Sequence, residues 1–205
     1  MRDGSKTGKE IDDHDYVIRM NGALIKGHEE DVRNRTSVYV HTAHSTTSRY
    51  FFKKYEYTSA PADEGIKYVM IPETMRDYQW LTGLLRRRRV NRQCPFRNSR
   101  PWTYYGGQFD ERHFYVLHPD FLRYARNRFW KSCNLNANYW ATVRPTNGAF
   151  AIFTALYTCD IVSAYGFITE DYNNYFFETG KTQVVFYVNH DYNLQKDTCK
   201  KLLNY

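Results

Sequence analysis

The last third of the chain combines a helix-like segment with strand-like segments, and this order restricts the fold to one class. Residues 149–158 form a nearly continuous apolar run, preceded by Pro145 and Thr146, two residue types suited to the first turn and cap of a helix. Residues 161–167 and 184–188 are rich in β-branched and aromatic side chains, which favour strands. Helices that separate strands indicate an α/β protein with a largely parallel sheet.

The rest of the chain follows the same pattern. We predict strands at residues 15–20, 37–41 and 66–71, and helices at residues 73–85, 119–129, 146–157 and 193–203. Residues 86–107 are rich in Arg, Asn, Pro, Gly and Tyr and are predicted to form a long loop. Because the sequence has no internal repeat, low-complexity tract or linker, residues 1–205 are expected to form one α/β domain.

Polar residues at the ends of these elements predict an anion site beside a proton acceptor. The predicted helix 146–157 begins with Thr146, Asn147 and Gly148, and the unpaired N–H groups of a helix start bind anions. His190 follows the predicted strand 184–188, and ligands of open α/β sheets bind at the carboxyl ends of strands. A helix cap without a ligand and an ordinary histidine at a strand end are the alternative interpretations.

The net charge of +7, from 29 Lys and Arg against 22 Asp and Glu, favours an anionic partner without choosing its class. Residues 86–89 are four consecutive arginines and fit the basic C-terminal end of the predicted helix 73–85. A nucleic-acid binder is an alternative, although the sequence has no RNA-binding, helix-turn-helix or zinc-finger signature. No apolar stretch reaches the roughly 18 residues that span a bilayer, and the first residues lack the apolar core of a signal peptide.

Cysteine, asparagine and histidine positions add weaker constraints. The four cysteines are Cys94, Cys133, Cys159 and Cys199. They contain no Cys-x-x-Cys spacing, which disfavours a structural zinc site, and they allow three complete pairings. Asn34 begins an Asn-Arg-Thr glycosylation sequon. His41 and His44 have no evident further metal ligands, so we expect them to be structural or exposed.

Four segments, in order along the chain, carry a family resemblance. Residues 145–169 resemble the small sialylmotif of animal sialyltransferases, residues 175–178 (Tyr-Phe-Phe-Glu) their third motif, and residues 189–191 (Asn-His-Asp) their very small motif. Residues 8–23 resemble the second half of their large sialylmotif. The following residues, 25–37, are most similar to the α-N-acetylgalactosaminide α-2,6-sialyltransferases that act on mucin-type O-glycans.

The resemblance implies a variant GT-A type, Rossmann-like fold and a glycosyltransferase activity. The implied donor is CMP-sialic acid, and the implied acceptor is the 6-hydroxyl of GalNAc on O-glycosylated proteins. His190 would be the general base of an inverting displacement. No metal ion or other cofactor is implied, because the helix start near Thr146 can stabilise the departing phosphate.

The resemblance also implies contacts with the donor. The implied donor-binding residues are Asn21, Thr146, Asn147, Gly148, Gly166, Tyr175 and Glu178. Asn21 matches a position that contacts the donor phosphate or ribose, and Gly166 would allow the backbone to approach the cytidine. Tyr175 stands where many relatives have histidine, and Gln195 stands where the family usually has glutamate.

The large sialylmotif of the family begins upstream of the residues that match it here. The resemblance therefore predicts that the chain lacks its first sheet strand, one donor loop, the cysteine that would pair with Cys159, and the stem and membrane anchor of a Golgi enzyme. We expect the parent protein to be a single-pass type II sialyltransferase of the Golgi lumen, and this chain to be a weakly active part of it. The alternative is a catalytically weak or inactive relative that binds CMP or a glycan.

Overall fold

The computed structural model describes residues 4–22, 25–48, 59–90, 100–133, 143–166 and 189–203. The chain divides into two compact units. We call Thr7–Leu117 the sheet unit, and His118–Tyr205 together with Met1–Lys6 the C-terminal unit.

The sheet unit is built on four parallel strands: β1 (Ile18–Met20), β2 (Val38–His41), β3 (Lys67–Met70) and β4 (Phe114–Val116). Their order in the sheet is the same as their order in the chain. The register pairs Ile18 with Val38, Val38 with Lys67, and Tyr68 with Phe114. The helices of this unit are α1 (Gly8–Asp12), α2 (Glu29–Val32), α3 (Ala43–Thr47) and α4 (Met75–Leu85).

Aromatic side chains fill the core of the sheet unit. Tyr39, Tyr68 and Tyr105 are almost fully buried, and the rings of Tyr68 and Tyr105 meet edge to face with their centroids 5.3 Å apart. The indole Nε1 of the buried Trp80 donates a hydrogen bond of 3.2 Å to the Tyr105 hydroxyl. Edge-to-face pairs and satisfied polar tips allow these large amphipathic side chains to form a core.

One buried carboxylate connects α3 with α4. Asp77, in the first turn of α4, accepts hydrogen bonds from the backbone N–H groups of Glu73 (3.0 Å) and Thr74 (2.8 Å). Its second oxygen accepts from the N–H of Ala43, the first residue of α3, at 3.2 Å. These contacts satisfy N–H groups that a helix start leaves without intrahelical partners.

The C-terminal unit contains three described helices: α5 (Pro119–Phe129), α6 (Asn147–Thr158) and α7 (Tyr192–Leu203). Phe153 of α6 packs against Phe129 and Trp130, with ring centroids 4.4 Å and 4.3 Å apart. Among the residues that the structure describes, no helix is long and apolar enough to cross a membrane.

The structure confirms the predicted α/β class with a parallel sheet. The strand predicted at 161–167 is wrong over its described part, because residues 161–166 are irregular and Ile161 is 83% exposed. A strand requires a hydrogen-bonded neighbour, and no described strand pairs with this segment. The predicted strand 184–188 lies outside the described residues. Strand β4 was not anticipated because three residues carry too little periodicity.

Candidate active site

The side chain of His190 is hydrogen-bonded to the backbone just before the start of α6. Its Nδ1 lies 2.9 Å from the carbonyl oxygen of Arg144, and the N–H of Arg144 donates to the carbonyl oxygen of Asn189 at 3.0 Å. A carbonyl oxygen only accepts, so Nδ1 carries the proton in this contact. In the neutral ring, Nε2 then has the free lone pair, which is the arrangement that a general base requires.

The environment of His190 also favours its neutral form. The pKa of the imidazole lies below its ordinary value, mainly because the ring is partly buried. The hydrogen bond to the Arg144 carbonyl raises this pKa, and the positive charge of Arg144 lowers it further. A histidine with a lowered pKa is deprotonated near neutral pH and can accept a proton.

Thr146 caps α6 two residues after the partner of His190. Its backbone is extended (φ −69°, ψ 164°), and its hydroxyl oxygen accepts a hydrogen bond of 3.2 Å from the N–H of Ala149. The hydroxyl proton is donated to Oε1 of Gln195 at 2.8 Å. The helix starts at Asn147 and Gly148, and the positive end of the helix dipole makes this end of α6 suited to an anion.

Asp191, the residue after His190, is hydrogen-bonded to the segment that follows α5. One of its carboxylate oxygens accepts from the N–H of Leu194 at 3.0 Å, which is a cap of α7. The other oxygen accepts from the hydroxyl of Ser132 at 2.7 Å. The segment that carries His190 is therefore hydrogen-bonded to Ser132, which follows α5, and to Arg144, which precedes α6. The sequence analysis did not identify Ser132 or Arg144. The one local signal is Asp191, a residue type that caps helices, three residues before Leu194, and it predicts only the cap of α7.

A small cavity lies beside these contacts. Its lining residues are Arg126, Trp130, Ser132, Val143, Arg144, Pro145, Asp191, Leu194 and Gln195. Its volume of about 10 Å³ accommodates one water molecule. This cavity is too small for a nucleotide.

Of the other predicted donor-binding residues, Asn21 belongs to the sheet unit, at the carboxyl end of β1. It adopts a left-handed conformation (φ +53°), which Asn tolerates better than most residues. Its backbone N–H donates to Val40 at 3.2 Å, and its carbonyl accepts from the Tyr39 hydroxyl at 2.6 Å. Gly166 also has a positive φ, +74°, which explains glycine at this position without reference to a ligand. Tyr175 and Glu178 lie outside the described residues.

The predicted glycosylation sequon lies on an ordered segment. Asn34 is exposed, whereas Thr36 is only 1% exposed and its N–H donates to the Asp63 carboxylate at 2.8 Å. The guanidinium group of Arg19 donates to the carbonyl oxygen of Arg35 at 3.1 Å. Use of Asn34 remains a prediction.

Three cysteines are described, and all three are free thiols: Cys133, Cys159 and Cys199. Cys133 is exposed, and burial raises the pKa of the Cys199 thiol. Cys94 lies outside the described residues, and a partner for Cys159 remains a prediction.

Within the part of the chain that the structure describes, no group of three His, Cys, Asp or Glu side chains is placed to bind a metal ion. His41 is buried and His44 is exposed. The chain does contain an Asp-x-Asp pair, Asp13 and Asp15, at the end of α1, and both side chains are exposed. Metal independence therefore remains a prediction based on the family resemblance.

The sequence model of glycosyltransferase family 29, the sialyltransferases, matches residues 3–205, so its match includes both compact units. The chain belongs to this family of sialyltransferases. Among curated relatives, it is 43% identical over 203 residues to alpha-N-acetylgalactosaminide alpha-2,6-sialyltransferase 1 of Gallus gallus, covering 97% of this chain and 36% of that protein. It is 40% identical over 205 residues to alpha-N-acetylgalactosaminide alpha-2,6-sialyltransferase 2 of Mus musculus, covering 98% of this chain and 55% of that protein.

These relatives confirm the predicted resemblance to the α-2,6 subgroup. The chain spans about a third to a little over half of their length. The fold is similar to that of a mammalian sialyltransferase crystal structure, with a TM-score of 0.68 at 20% identity, covering 98% of this chain and 61% of that one. A second structure, of a mammalian sialyltransferase in complex with Gal-beta-1-3GalNAc-ortho-nitrophenol, gives a TM-score of 0.67.

Proposed function

We propose that this chain is the catalytic part of a sialyltransferase that moves sialic acid from CMP-sialic acid to the 6-hydroxyl of GalNAc on O-glycosylated proteins. The observation that carries the proposal is the hydrogen bond between His190 Nδ1 and the Arg144 carbonyl, two residues before the cap of α6. It combines a fixed imidazole with a helix start suited to a phosphate. The names of the relatives support the choice of GalNAc and of the α-2,6 linkage.

The proposed reaction is a single inverting displacement. Nε2 of His190 accepts the proton of the acceptor hydroxyl while the hydroxyl oxygen forms a bond to the anomeric carbon of sialic acid. The bond from this carbon to the phosphate oxygen breaks, and its electron pair leaves with CMP. The start of α6, at Asn147 and Gly148, stabilises the negative charge that develops on the phosphate. In this scheme the helix start replaces a metal ion.

The test is a transfer assay with CMP-sialic acid and a GalNAc-Ser/Thr glycopeptide, read by mass spectrometry. We expect His190→Asn to lower the rate by at least about 100-fold, the lower end of the usual contribution of a general base. Asn retains an N–H that can donate to the Arg144 carbonyl, so this variant removes the base with little change to the fold. His44→Ala, at an exposed histidine of the sheet unit, is the matched control. An unchanged rate in His190→Asn would contradict the proposal.

The second candidate is a relative that binds CMP or a glycan with little or no turnover. It is favoured by Gln195, which stands where the family usually has glutamate. Calorimetry with CMP separates the candidates. Binding of CMP without transfer of sialic acid would identify a non-catalytic relative.

We further propose that the protein acts in the Golgi lumen. The donor role of Asn21, Tyr175 and Glu178 is part of the same proposal and is supported by the family match. Replacing Asn21 by Ala should weaken CMP binding in the same calorimetric assay. An unchanged affinity would remove Asn21 from the donor site.

A further inference from the structure

We propose that Ser132 is a positioning residue for the general base: its hydroxyl holds the carboxylate of Asp191 and thereby fixes the segment that carries His190 relative to α6. The inference rests on the proposed function and adds a residue to its site. Ser132 is buried, and its hydroxyl donates to Oδ2 of Asp191 at 2.7 Å. Hydrogen bonds from a hydroxyl to a carboxylate are among the stronger ones in proteins, and this length is typical of them.

On one side, residues 189–191 are held by the stretch of chain that leads into α6. The N–H of Arg144 donates to the carbonyl oxygen of the residue before His190, and Nδ1 of His190 donates to the carbonyl oxygen of Arg144. Gln195, one turn into α7, contacts the Thr146 hydroxyl on the same side. All these partners lie within residues 144–146, so these contacts alone would let the segment turn about that stretch. A contact with a different element is needed to fix the direction in which Nε2 points.

Ser132 supplies such a contact from a closely packed part of the fold. Its N–H donates to the carbonyl oxygen of Trp130 at 2.9 Å. The ring of Trp130 is buried and packs edge to face against Phe153 of α6, with the centroids 4.3 Å apart. The segment that carries His190 is therefore connected to α6 twice, through Arg144 before its first turn and through Ser132 and Trp130 at its middle.

Loss of the Ser132 hydroxyl should affect the position of the base more than the formation of α7. The other carboxylate oxygen of Asp191 accepts from the N–H of Leu194 at 3.0 Å, and this cap does not involve Ser132. Ser132 is also uncharged, so replacing it by another uncharged residue changes no charge beside His190. What changes is the restraint on the imidazole, and displacements of about 1 Å at a reacting group reduce rates strongly.

The experiment compares Ser132→Thr with Ser132→Val in the full 205-residue chain. The two variants have the same shape and differ only in the hydroxyl, which threonine retains and valine replaces by a methyl group. The adjoining cavity of about 10 Å³ leaves some room for the methyl group that both add. Thr158→Val makes the same hydroxyl-to-methyl exchange at the last residue of α6, where the hydroxyl donates to the Thr154 carbonyl at 2.8 Å, and is the matched control.

The first measurement is the transfer assay. We expect Ser132→Val to lower kcat by about tenfold and to change KM for the donor by less than about twofold, because the base is misplaced while the donor site is retained. Ser132→Thr and Thr158→Val should stay within about twofold of wild type in both constants. Thermal unfolding shows whether each variant is folded at the assay temperature. Equal kcat values for Ser132→Val and Ser132→Thr would overturn the proposal.

The second measurement does not depend on transfer. In the ¹⁵N-labelled protein, we expect the Nδ1 proton of His190 to exchange with water faster in Ser132→Val than in wild type. In Ser132→Thr and Thr158→Val it should exchange at the wild-type rate. An unchanged exchange rate in Ser132→Val would overturn the positioning role. If wild type neither binds CMP nor transfers sialic acid, the proposed function fails, and the exchange rate still decides whether Ser132 positions His190.

Discussion

The buried His41 at the end of β2 should make the stability of the sheet unit depend on pH. Its side chain is fully buried, with the ring stacked on Tyr39 at 5.4 Å and edge-on to Tyr105 at 5.5 Å. Nδ1 contacts the Thr46 hydroxyl at 3.2 Å, and Nε2 has no hydrogen-bond partner among the described residues. Protonation would place a positive charge in this aromatic core, so burial lowers the pKa of His41 from 6.5 to about 4.

The sign and size of the effect follow from this shift. The pKa is lower in the folded state than in the unfolded state, so the unfolded chain binds the proton more readily. The contribution of the neutral His41 to the free energy of unfolding is therefore fully present above the unfolded pKa of 6.5 and is lost as the pH falls toward about 4. Between about pH 7.5 and pH 5, this single group accounts for a loss of about 2 kcal/mol in the free energy of unfolding.

Urea unfolding at these two pH values tests the prediction. His41→Phe keeps an aromatic ring in the core and removes the titrating group, so its free energy of unfolding should fall by about 2 kcal/mol less than that of wild type between the two conditions. His44→Gln, at the neighbouring exposed histidine, should behave as wild type. If wild type and His41→Phe lose the same free energy, the reasoning about the buried ring is wrong.

Three further predictions concern other buried polar groups. Thr36→Val should abolish any glycan on Asn34 because it removes the sequon. It should not lower the free energy of unfolding, because the buried Thr36 hydroxyl has no hydrogen-bond partner among the described residues; a loss of more than about 1 kcal/mol in this free energy would contradict the prediction. A high-resolution crystal structure should show a water molecule in the small cavity, because two of its lining residues, Trp130 and Arg126, have a buried nitrogen (Nε1 and Nε) without a partner in the described part of the chain; a dry cavity would refute it. Asp77→Ala should lower the free energy of unfolding by about 3 kcal/mol or more, because three backbone N–H groups lose their acceptor; urea unfolding measures this, and a cost below about 1 kcal/mol would show that water replaces the carboxylate.

Several elements of this fold were predictable because their signals are local. The start of α6 follows from Pro145 and Thr146, and its extent follows from the apolar run after them. Strands β1, β2 and β3 fall inside the predicted segments 15–20, 37–41 and 66–71. In contrast, β4 is defined by its pairing with β3 rather than by its three residues. The irregular conformation of residues 161–166 shows the converse, since strand-forming side chains without a paired neighbour form no strand.

The sequence alone determined the family, through motifs spread over the chain, and it singled out His190 and the start of α6. The tertiary structure decided which nitrogen of His190 carries the proton, because the carbonyl of Arg144 is 46 residues away in the chain. It also decided that Gln195 accepts the proton of Thr146, 49 residues away. The physical reason is that helix caps and periodicity are encoded within a few neighbouring residues, whereas hydrogen bonds between distant segments exist only after packing brings their donors and acceptors together.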